Sequence, residues 1–464
     1  MKFDQYEIIY FLGIGGIGMS ALARYFNHHG KTVIGYDRTH TPLTSELEME
    51  GIAVHYDDTI LEIPQIIKLT PQEKILVVYT PAIPKDSNER IWFETNGYVM
   101  KKRSEVLGMI TRTSPTIAIA GTHGKTTTSS LTAHLFKAAG QNCNAFLGGI
   151  TVNYETNLLL GEISDWTVVE ADEFDRSFLT LSPKLSVITS MDADHLDIYG
   201  DASHVSEGFQ MFAGKLQEGG SIVVKKGLDI TANHLAENTT KYEYSVDEAA
   251  DFYATNIRIE NRQYTFDLNT PFGKLTYLAV GLPGRHNVEN AIAACAMALL
   301  AGMKLEEVRE GLATFQGVHR RFEYIIRNED FTYIDDYAHH PEELRACISS
   351  VKELYPDKKI VGIFQPHLFT RTRDFAEEFS KSLSLLDVAI LLPIYPAREL
   401  PIEGVTSEML LEKITSPYKH LLQKNEVLPY LESNKPEVLL TLGAGDIDVM
   451  VAGIRNLAIG FKQY

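Results

Sequence analysis

Two glycine-rich segments have the spelling and the setting to hold phosphate. The first, Gly13–Gly18, follows the apolar run Ile8–Leu12 and precedes a helical pattern over Met19–Phe26. Gly13, Gly15 and Gly18 fit G-x-G-x-x-G between a strand and a helix, with Gly16 adding a fourth glycine. Such glycines let backbone N–H groups approach a diphosphate closely, and the helix N-terminus favours its charge. A second apolar run, Thr32–Tyr36, ends at Asp37, which is placed to hydrogen-bond a ribose. This pattern suits NAD(P) and equally a UDP-sugar; a glycine turn that only packs helix on strand would look the same. The second segment, Gly121-Thr122-His123-Gly124-Lys125-Thr126-Thr127, follows Thr116–Ala120 and opens a helix through Leu135. It is a shortened phosphate loop, since Ile119 stands where the longer motif has glycine. Backbone N–H groups would cradle ATP, Lys125 would reach its β/γ oxygens, and the Thr126 hydroxyl would ligate Mg²⁺.

A phosphate loop needs a metal shell, and two acidic stretches follow it. Val168–Glu173 ends in Glu170, Asp172 and Glu173, at the carboxyl end of a strand pattern, where parallel sheets bind ligands. Asp192, Asp194, His195 and Asp197 follow the run Val187–Thr189. Mg²⁺ prefers oxygen, so a histidine ligand would be atypical. Alone, these acids suit a solvated loop or helix caps; beside the phosphate loop, they suit a metal.

The elements that must position these residues alternate as in α/β proteins. Short apolar runs (Ile75–Tyr79, Leu185–Ser190, Ile360–Phe364, Val388–Leu392 and Val438–Leu442 besides those above) are separated by helical patterns. Residues 223–280 alternate more, as in Gln263–Leu268, and predict a small antiparallel sheet within a middle domain. The 464 residues suit three domains at about 150 each. Boundaries are expected near Ser104, before the strand–loop–helix at Thr116, and near Gly317, giving domains 1–104, 105–316 and 317–464.

Composition narrows the function. With 43 Lys+Arg against 61 Asp+Glu, the formal charge of -18 argues against coating nucleic acid. Phosphate must then be bound by a few placed groups. Three cysteines without a C-x-x-C pair suit a reducing compartment and no structural zinc. The acidic N-terminus is unlike a signal peptide, and no apolar run is long enough to span a membrane, so a cytoplasmic protein is expected.

Taken together, Gly121–Thr128, Glu170–Glu173, Asp194–Asp197 and His286–Asn290 resemble the Mur ligases, ATP-dependent amide-forming enzymes of peptidoglycan synthesis. Gly13–Met19, Gly317–Phe322, Asp335–Pro341 and Phe364–His367 sharpen the match, which runs from Ile8 to Asp446. They point to the member that joins L-alanine to the carboxylate of UDP-N-acetylmuramate. The resemblance implies three α/β domains: a Rossmann-like UDP-sugar domain, an ATP and Mg²⁺ domain, and a Rossmann-like amino-acid domain. It implies that Lys125 contacts the transferred phosphoryl group, that Thr126 and Glu170 hold one Mg²⁺, and that His195 acts at a second. Asn287 and Asn290 would contact the nucleotide, with Arg321 and Asp336 reaching it from the third domain. Tyr337, His339, His367 and Arg371 would line the alanine site, and Gly13, Gly15, Gly16, Gly18 and Asp37 the UDP-sugar site. A monomer or homodimer is expected. Leu368 and Arg398 depart from the family pattern, and no lysine between Ile198 and Met211 is available for carbamylation. The nearest alternative is a recycling ligase that attaches a preformed murein tripeptide; an NAD-dependent dehydrogenase is more distant, leaving Lys125, Glu170 and His195 without a common purpose.

Overall fold

The structure, a computed structural model, describes residues 3–161, 166–192, 202–397 and 399–460. Three sheets carry an α/β fold. The first is all parallel, in the order β3-β2-β1-β4-β5. Its strands are β1 (Ile8–Leu12), β2 (Thr32–Tyr36), β3 (Ala53–His55), β4 (Ile75–Tyr79) and β5 (Val99–Lys102). All five residues of β1 are buried, and the chain leaves it at Gly13 between β2 and β4. That is a topological switch point, where the strand order reverses and a crevice opens.

The second sheet comprises β6 (Thr116–Ala120), β7 (Cys143–Thr151), β8 (Thr156–Leu159), β9 (Trp166–Ala171), β10 (Leu185–Ile188), β11 (Ser221–Lys225), β12 (Thr240–Ser245), β13 (Phe252–Glu260), β14 (Gln263–Thr270) and β15 (Gly273–Ala279). Their order is β15-β14-β13-β12-β11-β10-β6-β9-β7-β8. Strand β6 lies between parallel β10 and β9, so the phosphate loop also leaves a switch point. The strands expected as a small separate sheet exist as β13–β15, but they extend this same sheet. Parallel pairing of Tyr244 with Phe252 joins them to it, so the edge of β12 is covered rather than exposed. Between β13 and β14, Asn261 and Arg262 both take positive φ, 53° and 59°, the turn that matches strand twist in a two-residue hairpin.

The third sheet runs β16-β17-β21-β18-β19-β20, from β16 (Glu323–Arg327), β17 (Thr332–Asp336), β18 (Ile360–Phe364), β19 (Val388–Leu391), β20 (Tyr418–Leu421) and β21 (Val438–Leu442). Only β16 is antiparallel to its neighbour. The chain divides into two compact units. One is Met1–Ala254 with Leu268–Leu275 and Asn290–Thr314; the other is Thr255–Asp267 and Thr276–Glu289 with Phe315–Tyr464. Among the described residues, no helix is long and apolar enough to cross a membrane.

Within the first unit, the helix behind the glycine loop, Ile17–His28, is tied to the second sheet. Asn157 of β8 is fully buried and donates to the Ile17 carbonyl (2.6 Å) and the Ser20 hydroxyl (2.9 Å). Its Oδ1 accepts from Arg24 (2.6 Å), whose guanidinium also pairs with Glu46 and Glu50. Glu46 and Glu50 stand 40% and 39% exposed, so water screens those pairs, and the buried Arg24–Asn157 contact is the costlier one to break.

A second buried network lies inside the first sheet. The Tyr10 hydroxyl donates to Glu89 Oε2 (2.7 Å) and lies 2.7 Å from His55 Nε2. Burial pushes the Glu89 carboxyl up to about 8, although the Tyr10 hydrogen bond opposes it. The folded state therefore keeps a proton that the unfolded chain loses near pH 4.5. The Glu89 contribution to stability is fully present below that pH and is lost as pH rises to about 8. Glu89→Gln is expected to flatten that slope in melting temperatures measured from pH 5 to 8.5; an unchanged slope would refute it.

Candidate active site

The phosphate loop is built by a buried strand, two glycines and a helix. All five residues of β6 are buried, and the helix Lys125–Ala138 starts directly after Gly124. Gly124 has φ +82°, and a Cβ there would lie 2.4 Å from Asn290 Oδ1. Asn290 also accepts from Thr128 Oγ1 (3.4 Å), so the helix Arg285–Leu300 brings it under the loop. The loop is wired to the chain after β10. His123 N donates to Ser190 Oγ (2.8 Å), Thr122 Oγ1 lies 2.8 Å from the same hydroxyl, and His123 pairs with Asp192 at 3.5 Å. The segment leading on from Asp192, with His195, lies outside the described residues.

Two carboxylates from the end of β9 meet two successive residues of the loop. Thr126 Oγ1 donates to Glu170, with Oε2 at 3.0 Å and Oε1 at 3.2 Å. A 3.0 Å oxygen–oxygen separation matches the edge of an octahedron with metal–oxygen distances of about 2.1 Å. Among the described residues, no group of three His, Cys, Asp or Glu is gathered as a metal cage. Thr126 and Glu170 could hold Mg²⁺ with phosphate oxygens and water completing its shell, its usual mode beside nucleotides. Glu170 reaches this place because residue 148 is glycine: a Cβ there would lie 2.0 Å from Glu170 Oε2.

Lys125 Nζ donates to the Gly121 carbonyl (2.6 Å) and to Glu173 (2.8 Å to Oε2, 3.0 Å to Oε1). Burial would push its pKa down, but the charges of Glu173, Asp172 and Glu170 outweigh that and hold it at about 12. The lysine is therefore a fixed cation across the physiological range.

At the first glycine loop, Asp37 faces the protein. Its carboxylate accepts from Gly15 N (2.8 Å) and Thr39 N (3.1 Å), so it organises the loop. Arg103 lies outside the motifs that the sequence spells. Its guanidinium packs on Gly18, where a Cβ would lie 2.9 Å from Nη1, and it pairs with Asp172 at 3.5 Å. The basic run Lys101-Lys102-Arg103, in so acidic a chain, was the available signal.

The second unit gathers the remaining expected residues. The guanidinium of Arg321 lies 5.0 Å from the centre of the Tyr337 ring, with Arg320 at 5.1 Å. Arg320 is structural, pairing with buried Asp335 (3.2 Å) and donating to the Gly443 carbonyl (2.6 Å). Asp336, like Asp37, organises its own chain, accepting from Phe322 N (2.9 Å) and Ala338 N (2.7 Å). Burial raises its pKa to about 7, with Arg321 opposing. Asn287 is buried and donates to the Pro283 carbonyl at 2.7 Å. His340 caps the helix Pro341–Leu354. The rings of His339 and His367 lie 6.1 Å apart, and His367 stacks on Tyr395. Burial, helped by the charge of Arg371, pushes both imidazoles down to about 4. Both are therefore neutral at pH 7 and weakly basic, so they offer ring nitrogens for hydrogen bonding rather than a strong base.

Comparison with known proteins accounts for all three sheets. Residues 8–114 match the model described as "Mur ligase family, catalytic domain", 119–298 the "Mur ligase middle domain", and 320–445 the "Mur ligase, glutamate ligase domain". The chain is 51% identical over 457 residues, 98% of each chain, to a UDP-N-acetylmuramate–L-alanine ligase of Parabacteroides distasonis. It is 51% identical over 458 residues to the protein of the same name in Porphyromonas gingivalis, again over 98% of each chain. Among solved structures, the UDP-N-acetylmuramate–alanine ligase of Thermotoga maritima superposes with a TM-score of 0.81 at 27% identity, covering 98% of this chain and 99% of that one. A murein peptide ligase of Psychrobacter arcticus shares the fold, with a TM-score of 0.69 at 22% identity over 99% of each chain. With half of its residues identical to those of such relatives over nearly its whole length, and with a phosphate loop whose lysine and threonine each meet a carboxylate, the chain belongs to the Mur ligase family.

Proposed function

We infer that this chain is an ATP-dependent ligase that joins L-alanine to the carboxylate of UDP-N-acetylmuramate, releasing ADP and phosphate. The observation that carries the reading is the full-length identity to ligases of that name. A carboxylate is a poor electrophile because oxide is a poor leaving group. Transfer of the γ-phosphoryl group to one carboxylate oxygen gives an acyl phosphate and ADP. The neutral amine of alanine then attacks the acyl carbon through a tetrahedral intermediate, and phosphate departs with the C–O bond electrons. Both steps concentrate negative charge, which placed cations and donors stabilise.

In this reading residues 1–104 bind the UDP-sugar, 105–316 bind ATP, and 317–464 bring the amino acid. The amides of Gly13, Gly15, Gly16 and Gly18 receive the diphosphate, and Asp37 sets their loop. Gly121, Thr122, His123, Gly124 and Thr127 surround the ATP phosphates, while Lys125 contacts the transferred group. Asn290 contacts the nucleotide from beneath the loop, joined by Asn287, Arg321 and Asp336. Thr126 and Glu170 would hold Mg²⁺, which supplies charge neutralisation at the phosphates when bound; His195 would serve a second ion. Tyr337, His339, His367 and Arg371 line the alanine site.

The test is phosphate release from ATP with UDP-N-acetylmuramate and L-alanine, L-serine, glycine or murein tripeptide. Alanine-dependent release is expected. Turnover with tripeptide alone would assign the chain to the recycling ligases, and NADH oxidation with a keto acid to the dehydrogenases.

A further inference from the structure

We propose that Glu173 is a positioning residue that occupies Lys125 in place of a phosphate and gives it up to ATP. The inference rests on the reading of Lys125 as a phosphate ligand. The end of β9 presents Glu170 to Thr126 and Glu173 to Lys125, so neighbouring loop residues meet acids three positions apart. Asp172, between them, is turned to Arg103 instead. The two acids have different surroundings. Glu170 faces a hydroxyl suited to a metal, whereas Glu173 faces the ammonium and the loop carbonyls it bonds. Glu173 is 1% exposed, and the Lys125 side chain 13%.

Two ionised groups shielded from water interact far more strongly than a surface pair, whose charges water screens. A phosphate entering the loop must therefore compete with Glu173 for the same ammonium. As phosphate leaves, the carboxylate recaptures the lysine. The turn that follows is built to keep Glu173 in place: Asp175 and Arg176 both take positive φ, 51° and 54°, and Lys102 pairs with Asp175 at 2.7 Å. Glu173 thus lowers the affinity for ATP while aiming the lysine and easing release of products.

The experiment is titration calorimetry of Mg-ATP into the full-length enzyme without the other substrates, together with steady-state kinetics. Glu173→Gln keeps an oxygen for the ammonium but removes the charge. It is expected to tighten ATP binding about fivefold and to lower kcat, a split that a purely structural loss would not produce. Unchanged or weaker ATP binding in the folded variant overturns the proposal. If Glu173→Gln does not fold, Glu173→Asp, which keeps the charge but lengthens the contact, must tighten binding to a smaller degree. In a Lys125→Met background, Glu173→Gln must leave ATP affinity unchanged. Tightening there would mean that Glu173 simply repels phosphate, which also overturns the proposal. If Lys125→Met alone leaves ATP binding intact, it is the underlying reading of the lysine that fails.

Discussion

Lys125→Ala is expected to lower kcat by about a thousandfold while binding of UDP-N-acetylmuramate survives. One preorganised cation or donor at a developing charge is worth about 10²–10³ in rate, and a lysine on the transferred phosphoryl group stands at the upper end. The sugar nucleotide is expected at Gly13–Gly18, at the end of β1 in a different sheet from β6, so its binding has no need of the lysine. Stability must be followed alongside. Removing Lys125 strands Glu173, a carboxylate 1% exposed, and a buried charge without its partner costs about 3–5 kcal/mol. A lowered melting temperature recovered by adding Glu173→Gln would separate that cost from the catalytic one. Calorimetric titration with the sugar nucleotide decides the point: loss of both turnover and sugar binding in a folded variant would contradict separate sites.

Glu170→Gln should lose about a hundredfold in kcat and need more Mg²⁺ for what remains. In the proposed reading the carboxylate and the Thr126 hydroxyl would form one edge of a metal shell, and an amide supplies an oxygen without the charge a hard dication prefers. Gly148→Ala is expected to share the phenotype, although residue 148 has no chemistry of its own. Its methyl would occupy the position of the Glu170 carboxylate, 2.0 Å from Oε2, and push the acid off the threonine. Turnover measured across a magnesium titration distinguishes this from general damage. A variant whose half-saturating Mg²⁺ matches the unaltered protein would remove Glu170 from the metal site.

Much of this was legible in the sequence because the phosphate loops carry their own local context. Buried β1 and β6 read as apolar runs, and the residues after them can be placed on a strand–turn–helix without knowing the rest of the chain. What lies across the sheet could not be read so. Glu173 and Gly148 matter because β9 is the neighbour of both β6 and β7, a strand order that spacing along the chain does not encode. The antiparallel strands were recognisable from their alternation, but their continuity with the large sheet depends on the pairing of Tyr244 with Phe252. Asp37 and Asp336 show a second limit. Each carboxylate accepts amides of nearby backbone, a contact that its place at a strand end does not spell out. A strand-end acid has the same spelling whether it serves a ligand or its own loop.

The network around Asn157 bears on how such enzymes can be recombined. Since this one side chain bonds the first turn of the helix behind the glycine loop and also Arg24, residues 1–104 are not an exchangeable cassette. A chimera that grafts this segment onto a sibling without an asparagine at that place would leave the Arg24 cluster, already bonded to Glu46 and Glu50, with an unmet donor. Transplanting β8 along with the segment carries the Asn157 part of the joint, while the Lys102–Asp175 and Arg103–Asp172 pairs need the end of β9 as well.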